Sequence, residues 1–450
     1  MNKLYLAICC FLFAACSAEK KIGRSAERLL FSDTTISNAH IGISIFDVSA
    51  NKFIYNYQAD KYFVPASNTK IFTTYAGLKY LGDSLPGIQY LEKGDTIHLF
   101  PTGDPTFLHK DFPVQPVMDF LKNSQKRLTI TGSNWKDAPF GFGWSWDDYN
   151  SSYMAERSPM PVYGNTIRFV QTQQTSEASA EKEPFIFTEP EINWKLNFDP
   201  GSSKTFSVRR IRNDNVFRVS QGTEQYKEVE VPFITNGLAS TLELLKDTVQ
   251  REIILVDGNN DINESQPASR TSNLTLKTVF SQPTDSFLRI MMHRSDNFFA
   301  EQTLLMVSNL KLGVMDDGHL ISTMLKSDLK DAPQQPRWVD GSGLSRYNLF
   351  TPRDFVWILN KMKTEFSFER LKGIFPTGGQ GTLRNFYRSD STSLFAKTGT
   401  LSGHVALSGY LTTRKQKTLI FSVLVNNHHG TAASIRRQVE QFLQGISNKY

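Results

Sequence analysis

Ser67 and Lys70 stand three residues apart in the stretch VPASNTKIF (64–72), where a polar turn gives way to an apolar run. A serine hydroxyl is a poor nucleophile until a neighbouring group takes its proton. Residues three apart on a helix share a face, so Lys70 can reach Ser67 across one turn. The pattern alone says little, because Ser-x-x-Lys also begins at Ser17, Ser49, Ser133, Ser179, Ser308 and Ser327. By itself it reads as a helix start beside a solvated lysine. Two further triplets follow it in chain order, Ser295-Asp296-Asn297 and Lys397-Thr398-Gly399. A lysine acts as a base only if its pKa is lowered, and burial beside a second cation does that. Lys397 is the candidate for that cation. Ser295 is suited to relay a proton toward a leaving group. Asn297 is suited to bond either a substrate amide or Lys70.

The third triplet has a second use. An edge strand can pair with an extended peptide through main-chain hydrogen bonds, and Gly399 would leave that approach unobstructed. The backbone N–H groups of Ser67 and Thr400 are candidate oxyanion-hole donors for a tetrahedral intermediate. Taken singly, Ser295-Asp296-Asn297 is capping chemistry and Lys397-Thr398-Gly399 is a strand end. Their order and context turn the reading toward catalysis.

The elements that must position these groups are visible as periodicities. HIGISIFDV (40–48) and KFIYNYQ (52–58) alternate as strands, and IFTTYAGLKYLG (71–82) has helical apolar spacing that stops at Gly82. Three strand candidates lie near the end, SLFAKTGT (393–400), ALSGYLTT (406–413) and TLIFSVLVNN (418–427). TAASIRRQVEQFLQGI then reads as an amphipathic helix with Ile435, Val439, Phe442 and Ile446 inward. Two early strands and three late ones predict one antiparallel sheet flanked by helices, with the middle of the chain inserted. That middle holds many short strand-like runs, one helix (LASTLELLKDTVQR) and a polar excursion, QTQQTSEASAEKE (171–183). The resulting organisation is a signal segment at 1–16, a discontinuous catalytic domain at 22–82 and 271–450, and one or two β-rich subdomains at 83–270.

With 450 residues, 40% hydrophobic content and 21% charged content, the chain is globular and long enough for two or three domains. Its net charge of +6 is mild, and short basic clusters such as Lys122–Arg127 and Arg209–Arg212 read as solvated surface. No dense basic stripe or nucleic-acid module is present, so a nucleic-acid partner is not expected. A lysine at position 3 and an apolar run from Leu4 to Ala15 form a secretory signal too short to span a membrane. Phe13-Ala14-Ala15-Cys16 resembles a bacterial lipobox, which would make Cys16 the lipidated first residue and tether the protein to a membrane. The three cysteines, Cys9, Cys10 and Cys16, all fall in this segment, so the body has no disulfide or cysteine metal site. No metal-ligand constellation or cofactor motif is found, and Gly378–Thr382 lacks the ending of a phosphate loop.

On these motifs the sequence resembles the D-alanyl-D-alanine carboxypeptidase/endopeptidase family, the class C low-molecular-mass penicillin-binding proteins of the penicillin-binding protein 4 type. Further stretches carry the resemblance: GDPTF (103–107), GWSWDDYNSSY (143–153), DGSGLSRYNLFTP (340–352), PTGGQGTLRNF (376–386) and AKTGTLSGHVALSGYLTT (396–413). It implies an α+β fold of the serine β-lactamase and penicillin-binding-protein kind, a five-stranded antiparallel sheet flanked by helices with inserted β-rich subdomains. It implies an acyl-serine enzyme of the cell envelope, without a cofactor, cutting D-Ala-D-Ala ends or cross-links of peptidoglycan stem peptides. β-lactam antibiotics would be covalent inhibitors. In that resemblance Ser67 is the nucleophile, Lys70 the base, Ser295 and Asn297 relay and orient, and Lys397 is the second cation. Thr398 and Thr400 hold the substrate carboxylate. Asp148, Tyr153, Arg346 and Ser402 read the charged end of the stem-peptide side chain, Asp148 being taken over its neighbour Asp147. Two alternatives stand beside this one, a β-lactamase and a non-catalytic peptidoglycan-binding or β-lactam-sensing protein. The long insert between Ser67 and Ser295 disfavours the first, and the complete motif set the second.

Overall fold

The computed structural model describes residues 19–33, 36–175, 182–201, 203–256 and 276–450. The signal segment with Cys16 lies outside the described residues. The chain divides into two compact units: one made of the chain up to Leu78, Asp285–Ala300 and Ile321–Tyr450, the other of Lys79–Thr284 and Glu301–Leu320.

The first unit is built on an antiparallel sheet of β1 (His40–Asp47), β2 (Lys52–Tyr57), β3 (Leu394–Leu401), β4 (His404–Thr412) and β5 (Thr418–Asn426). Their order across the sheet is β3-β4-β5-β1-β2, a single antiparallel sheet of two early and three late strands as expected. The two faces differ in character. On one, Ile41, Ile43 and Ile45 join Val423, Val425, Ile435, Val439 and Phe442 in a single apolar core. The last three come from the closing helix, Ala432–Lys449, whose N-terminus is capped by Thr431. The other face carries Ser44, Ser422, Ser408 and Lys397, directly opposite one another in register across four strands. Strand side chains alternate between faces, so each strand contributes one residue to a continuous polar row.

The helices that carry the first two triplets are α1 (Lys70–Tyr80), α2 (Thr284–Arg294) and α3 (Asn297–Leu312). Also in this unit are α4 (Pro352–Glu365), whose Thr351–Asp354 capping box fixes its start, and the closing helix, α5.

The second unit holds a mixed five-stranded sheet, ordered Ile253–Leu255, Arg127–Ile130, Thr96–Pro101, Ser84–Lys93 and Lys277–Pro283. Two three-stranded sheets accompany it. The strand Ser84–Lys93 escapes the sequence patterns because Pro86 and Gly87 break its alternation. The polar excursion is shorter than its composition suggests: Gln171–Thr175 continues the strand Thr166–Thr175, paired with Lys182–Glu189.

The basic cluster at 209–212 also departs from the surface reading. Arg210 is 2% exposed, donating to the carbonyls of Pro232 (2.8 Å), Ile211 (3.0 Å) and Arg212 (2.9 Å). Its neighbour in kind, Arg157, is buried among three carboxylates: Asp137 at 2.7 Å, Asp317 at 2.5 Å and Glu301 at 3.6 Å. Among the described residues no helix is long and apolar enough to cross a membrane.

Candidate active site

Ser67 lies in a single 3-10 turn, Ala66–Thr69, that runs straight into α1. Ala66 before it takes a left-handed φ of 49°, strain that is held by packing on both sides. Gly343 explains part of that packing: at φ +81° its backbone passes so close that a Cβ would sit 1.9 Å from the Ala66 carbonyl oxygen. Asn68 ties the same turn to the sheet, donating to Ser408 Oγ at 2.7 Å, and Ser408 donates to Ser422 Oγ at 2.8 Å.

Lys70 is fully buried. Its Nζ lies 3.1 Å from Ser67 Oγ, 2.7 Å from Asn297 Oδ1 and 2.8 Å from the Ser342 carbonyl oxygen. Ser342 is presented by the 340–348 loop, which is organised by one buried carboxylate. Asp340 accepts from Gly343 N (2.8 Å), Ser345 N (2.7 Å) and Asn348 Nδ2 (2.7 Å). Thr73, one turn along α1, clasps the loop through the Gly341 carbonyl at 2.6 Å.

Ser295 and Asn297 flank the junction of α2 and α3. Asp296 does what capping chemistry predicts: its N–H closes the end of α2 on Met291 (3.0 Å) and its carboxylate accepts from Phe299 N (2.9 Å). Ser295, at a left-handed φ of 61°, is thereby turned toward Lys397, whose Nζ donates to its Oγ at 2.8 Å and to the Thr398 carbonyl at 2.7 Å. Lys397 is also fully buried. Burial first, then the charges of Lys70 and Arg436, hold its pKa well below the ordinary lysine range.

β3 is an edge strand. Ala396 N–H points outward, donating to the Pro376 carbonyl at 3.0 Å where the Gly378–Leu383 turn region meets the strand. N–H groups two residues apart point to the same side of a strand, so those of Thr398 and Thr400 also face the open edge. Gly399 has a packing task as well. A Cβ there would lie 2.6 Å from the Pro65 carbonyl oxygen, so the glycine lets the strand close against the turn that holds Ser67.

Of the four side-chain-reading candidates, two lie in each unit. In the first, Arg346 Nη1 donates to the Ser402 carbonyl at 3.2 Å, and His404 Nδ1 lies 2.7 Å from the same oxygen. In the second, Asp148 sits on the turn Trp146–Asn150 beside Tyr153, whose hydroxyl pKa is raised by burial and by that carboxylate. Trp146 is 65% exposed, with Arg212 stacked over it at 4.8 Å, so it is not core. His428 and His429 sit in a loop, His428 Nδ1 being 2.9 Å from the Gly430 carbonyl oxygen.

Sequence reasoning missed Asn68, Asp340, Ser342, Ser408 and Arg436. Arg436 projects from α5 and donates to Thr400 Oγ1. In the sequence it is only one of the polar positions of an amphipathic helix.

The chain is similar to known D-Ala-D-Ala carboxypeptidases over most of its length. The family model described as the D-Ala-D-Ala carboxypeptidase 3 (S13) family matches residues 26–446. A D-alanyl-D-alanine carboxypeptidase from Actinomadura sp. is 24% identical over 442 residues, covering 90% of this chain and 80% of the relative. The D-alanyl-D-alanine carboxypeptidase DacB of Haemophilus influenzae is 23% identical, covering 87% of this chain and 86% of its own. The crystal structure of penicillin binding protein 4 from Haemophilus influenzae superposes with a TM-score of 0.71 at 18% identity, covering 94% of this chain and 99% of that one.

Proposed function

We propose a division of labour among five residues, starting from the fact that the chain belongs to the D-Ala-D-Ala carboxypeptidase 3 (S13) family of serine hydrolases. The protein is a D-Ala-D-Ala carboxypeptidase/endopeptidase acting on peptidoglycan, and hence in the cell envelope. Ser67 is the nucleophile and Lys70 its base. The observation that carries this assignment is the set of partners around Lys70 Nζ. A neutral amine has two N–H donors and one lone pair. The Asn297 amide oxygen (2.7 Å) and the Ser342 carbonyl (2.8 Å) are acceptors and take the two donors. Once deprotonated, the amine keeps its lone pair for a third neighbour, the Ser67 hydroxyl, whose Oγ lies 3.1 Å from Nζ.

Attack by Ser67 Oγ on the D-Ala carbonyl then passes its proton to Lys70, and the oxyanion is met by the N–H groups of Ser67 and Thr400. Ser295, bonded to Lys397, relays the proton taken up by Lys70 to the departing nitrogen. Release of D-alanine, or of the acyl acceptor of a cross-link, leaves an acyl-serine that water hydrolyses. Thr398 and Thr400 bind the leaving-side carboxylate. Arg346 beside Ser402 takes the carboxylate of the stem-peptide side chain, and Asp148 beside Tyr153 takes its ammonium. β-lactams acylate Ser67 in place of the peptide.

Fluorescent penicillin labelling tests the assignment: stable label on the wild type and none on Ser67→Ala is the expected result, and undiminished label on the variant sinks it. Mass analysis of digested peptidoglycan separates loss of terminal alanine from split cross-links. The reading includes export with lipidation at Cys16 and a periplasmic site of action. Mass analysis of the mature amino terminus should find a diacylglyceryl group on Cys16, and an unmodified terminus elsewhere would refute it.

A further inference from the structure

Thr398 and Thr400 alternate onto the sheet face opposite Lys397, the face covered by α5. Arg436 projects into this space, lining a small cavity with Thr398, Leu383, Phe386 and Tyr387. Its Nη2 donates to Thr400 Oγ1. Its Nε is buried with no hydrogen-bond partner, and among the described residues no carboxylate pairs with it. The adjacent Arg437 is a useful contrast: it meets Glu440 at 2.6 Å and the Asn385 carbonyl at 2.7 Å, as a structural arginine should. Burial lowers the pKa of Arg436, yet a guanidinium keeps its proton in a protein. A permanent cation whose side-chain partners are a neutral hydroxyl and the Phe386 ring, 5.8 Å away, is a poor contributor to stability, because its desolvation is not offset by an anion.

The contact also dictates what Thr400 can do. A hydroxyl has one O–H donor and two acceptor lone pairs. Because Arg436 donates into the oxygen, the hydroxyl hydrogen must point elsewhere, toward an acceptor. Thr400 is thereby set to donate at the open edge of β3, with a full positive charge behind it. We infer that Arg436 is the specificity-determining charge for the leaving-side carboxylate, acting through Thr400. The class of substrate selected is an acyl-D-amino acid with a free carboxylate on the carbon that bears the departing nitrogen. This rests on the function proposed above and adds to it a residue remote from the three motifs.

The test compares an acyl-D-alanyl-D-alanine peptide with its C-terminal carboxamide. A charge-assisted interaction of this kind corresponds to about 10- to 100-fold in kcat/KM, so the wild type should prefer the acid by that factor. Arg436→Ala should bring the ratio close to one, chiefly through KM for the acid, and Arg436→Lys should restore part of it. Arg437→Ala should keep the wild-type ratio, and added salt should lower the ratio only where position 436 carries a charge. Equal loss on both peptides in the alanine variant, or an Arg436→Lys enzyme with no preference left, would mark a structural role and overturn the inference. A ratio preserved in Arg436→Ala overturns it as well. Absence of turnover of either peptide by the wild type would instead sink the proposed function itself.

Discussion

Each unit buries a cluster of charge, and the two clusters obey opposite rules. In the second unit Arg157 is surrounded by Asp137, Glu301 and Asp317. Burial alone would lower its pKa, but the three carboxylates outweigh burial and raise it. In the first unit Lys397 has a serine hydroxyl and a peptide carbonyl as partners, with Lys70 and Arg436 as like charges. Every influence acting on it pushes the pKa down. A cluster that pairs a cation with carboxylates holds a fold together, while one of like charges keeps an amine unprotonated and free to act as a base. Natural chains retain the second kind where chemistry needs it.

Four substitutions can break or sharpen this contrast. The largest effect is expected from Lys70→Ala, about a 10⁴-fold loss in acylation rate with the thermal midpoint nearly unchanged. A fall of less than tenfold in stopped-flow acylation would refute the base assignment. Next comes Arg157→Met, which leaves the three carboxylates around it unpaired. Unfolding by denaturant should show a loss of about 3–5 kcal/mol, and an effect under 1 kcal/mol would mean the cluster is not structural.

Lys397→Met combines the two readouts. Activity should fall about 100-fold, while stability at neutral pH should not fall, because a desolvated cation has been removed. A clear drop in thermal midpoint would contradict the repulsive picture. The smallest effect is a change of pH slope. Burial is the main reason the Asp317 carboxyl is pushed up to about 7, with Asp137 adding to it and Arg157 opposing. A carboxyl with a raised folded pKa contributes stability that is present in acid and is lost as pH rises to about 7. Lys397 runs the other way, since its depressed pKa makes the folded state resist protonation, and stability from it grows toward alkaline pH. Asp317→Asn should therefore flatten the decline between acid and neutral pH, by about 1–2 kcal/mol. An unchanged profile would assign the titration elsewhere.

Much of the first unit could be read from residue order. The five strands of its sheet and α5 announce themselves by alternation and by 3.6-residue spacing, since each buries a well-defined face. The second unit was harder. Ser84–Lys93 is a strand despite Pro86 and Gly87, because pairing on both sides overrides local preference. Arg210 sits in an apparently solvated cluster, yet three backbone carbonyls receive it in the interior.

The site divides along the same line. That Ser67 could meet Lys70, that Asp296 would cap a helix, and that Thr398 and Thr400 would share a strand side all follow from local periodicity, which a sequence states outright. That Asn297 and Ser342 occupy the two donors of Lys70, that Asp340 builds the loop presenting Ser342, and that Arg436 stands behind Thr400 depended on tertiary structure. Asn297 belongs to the second motif, but Asp340, Ser342 and Arg436 lie tens to hundreds of positions from the motif residues they support, and no spacing rule in the sequence links them. Hydrogen bonds and charge interactions act over a few ångströms of space, so their meaning exists only once the chain has brought its distant segments together.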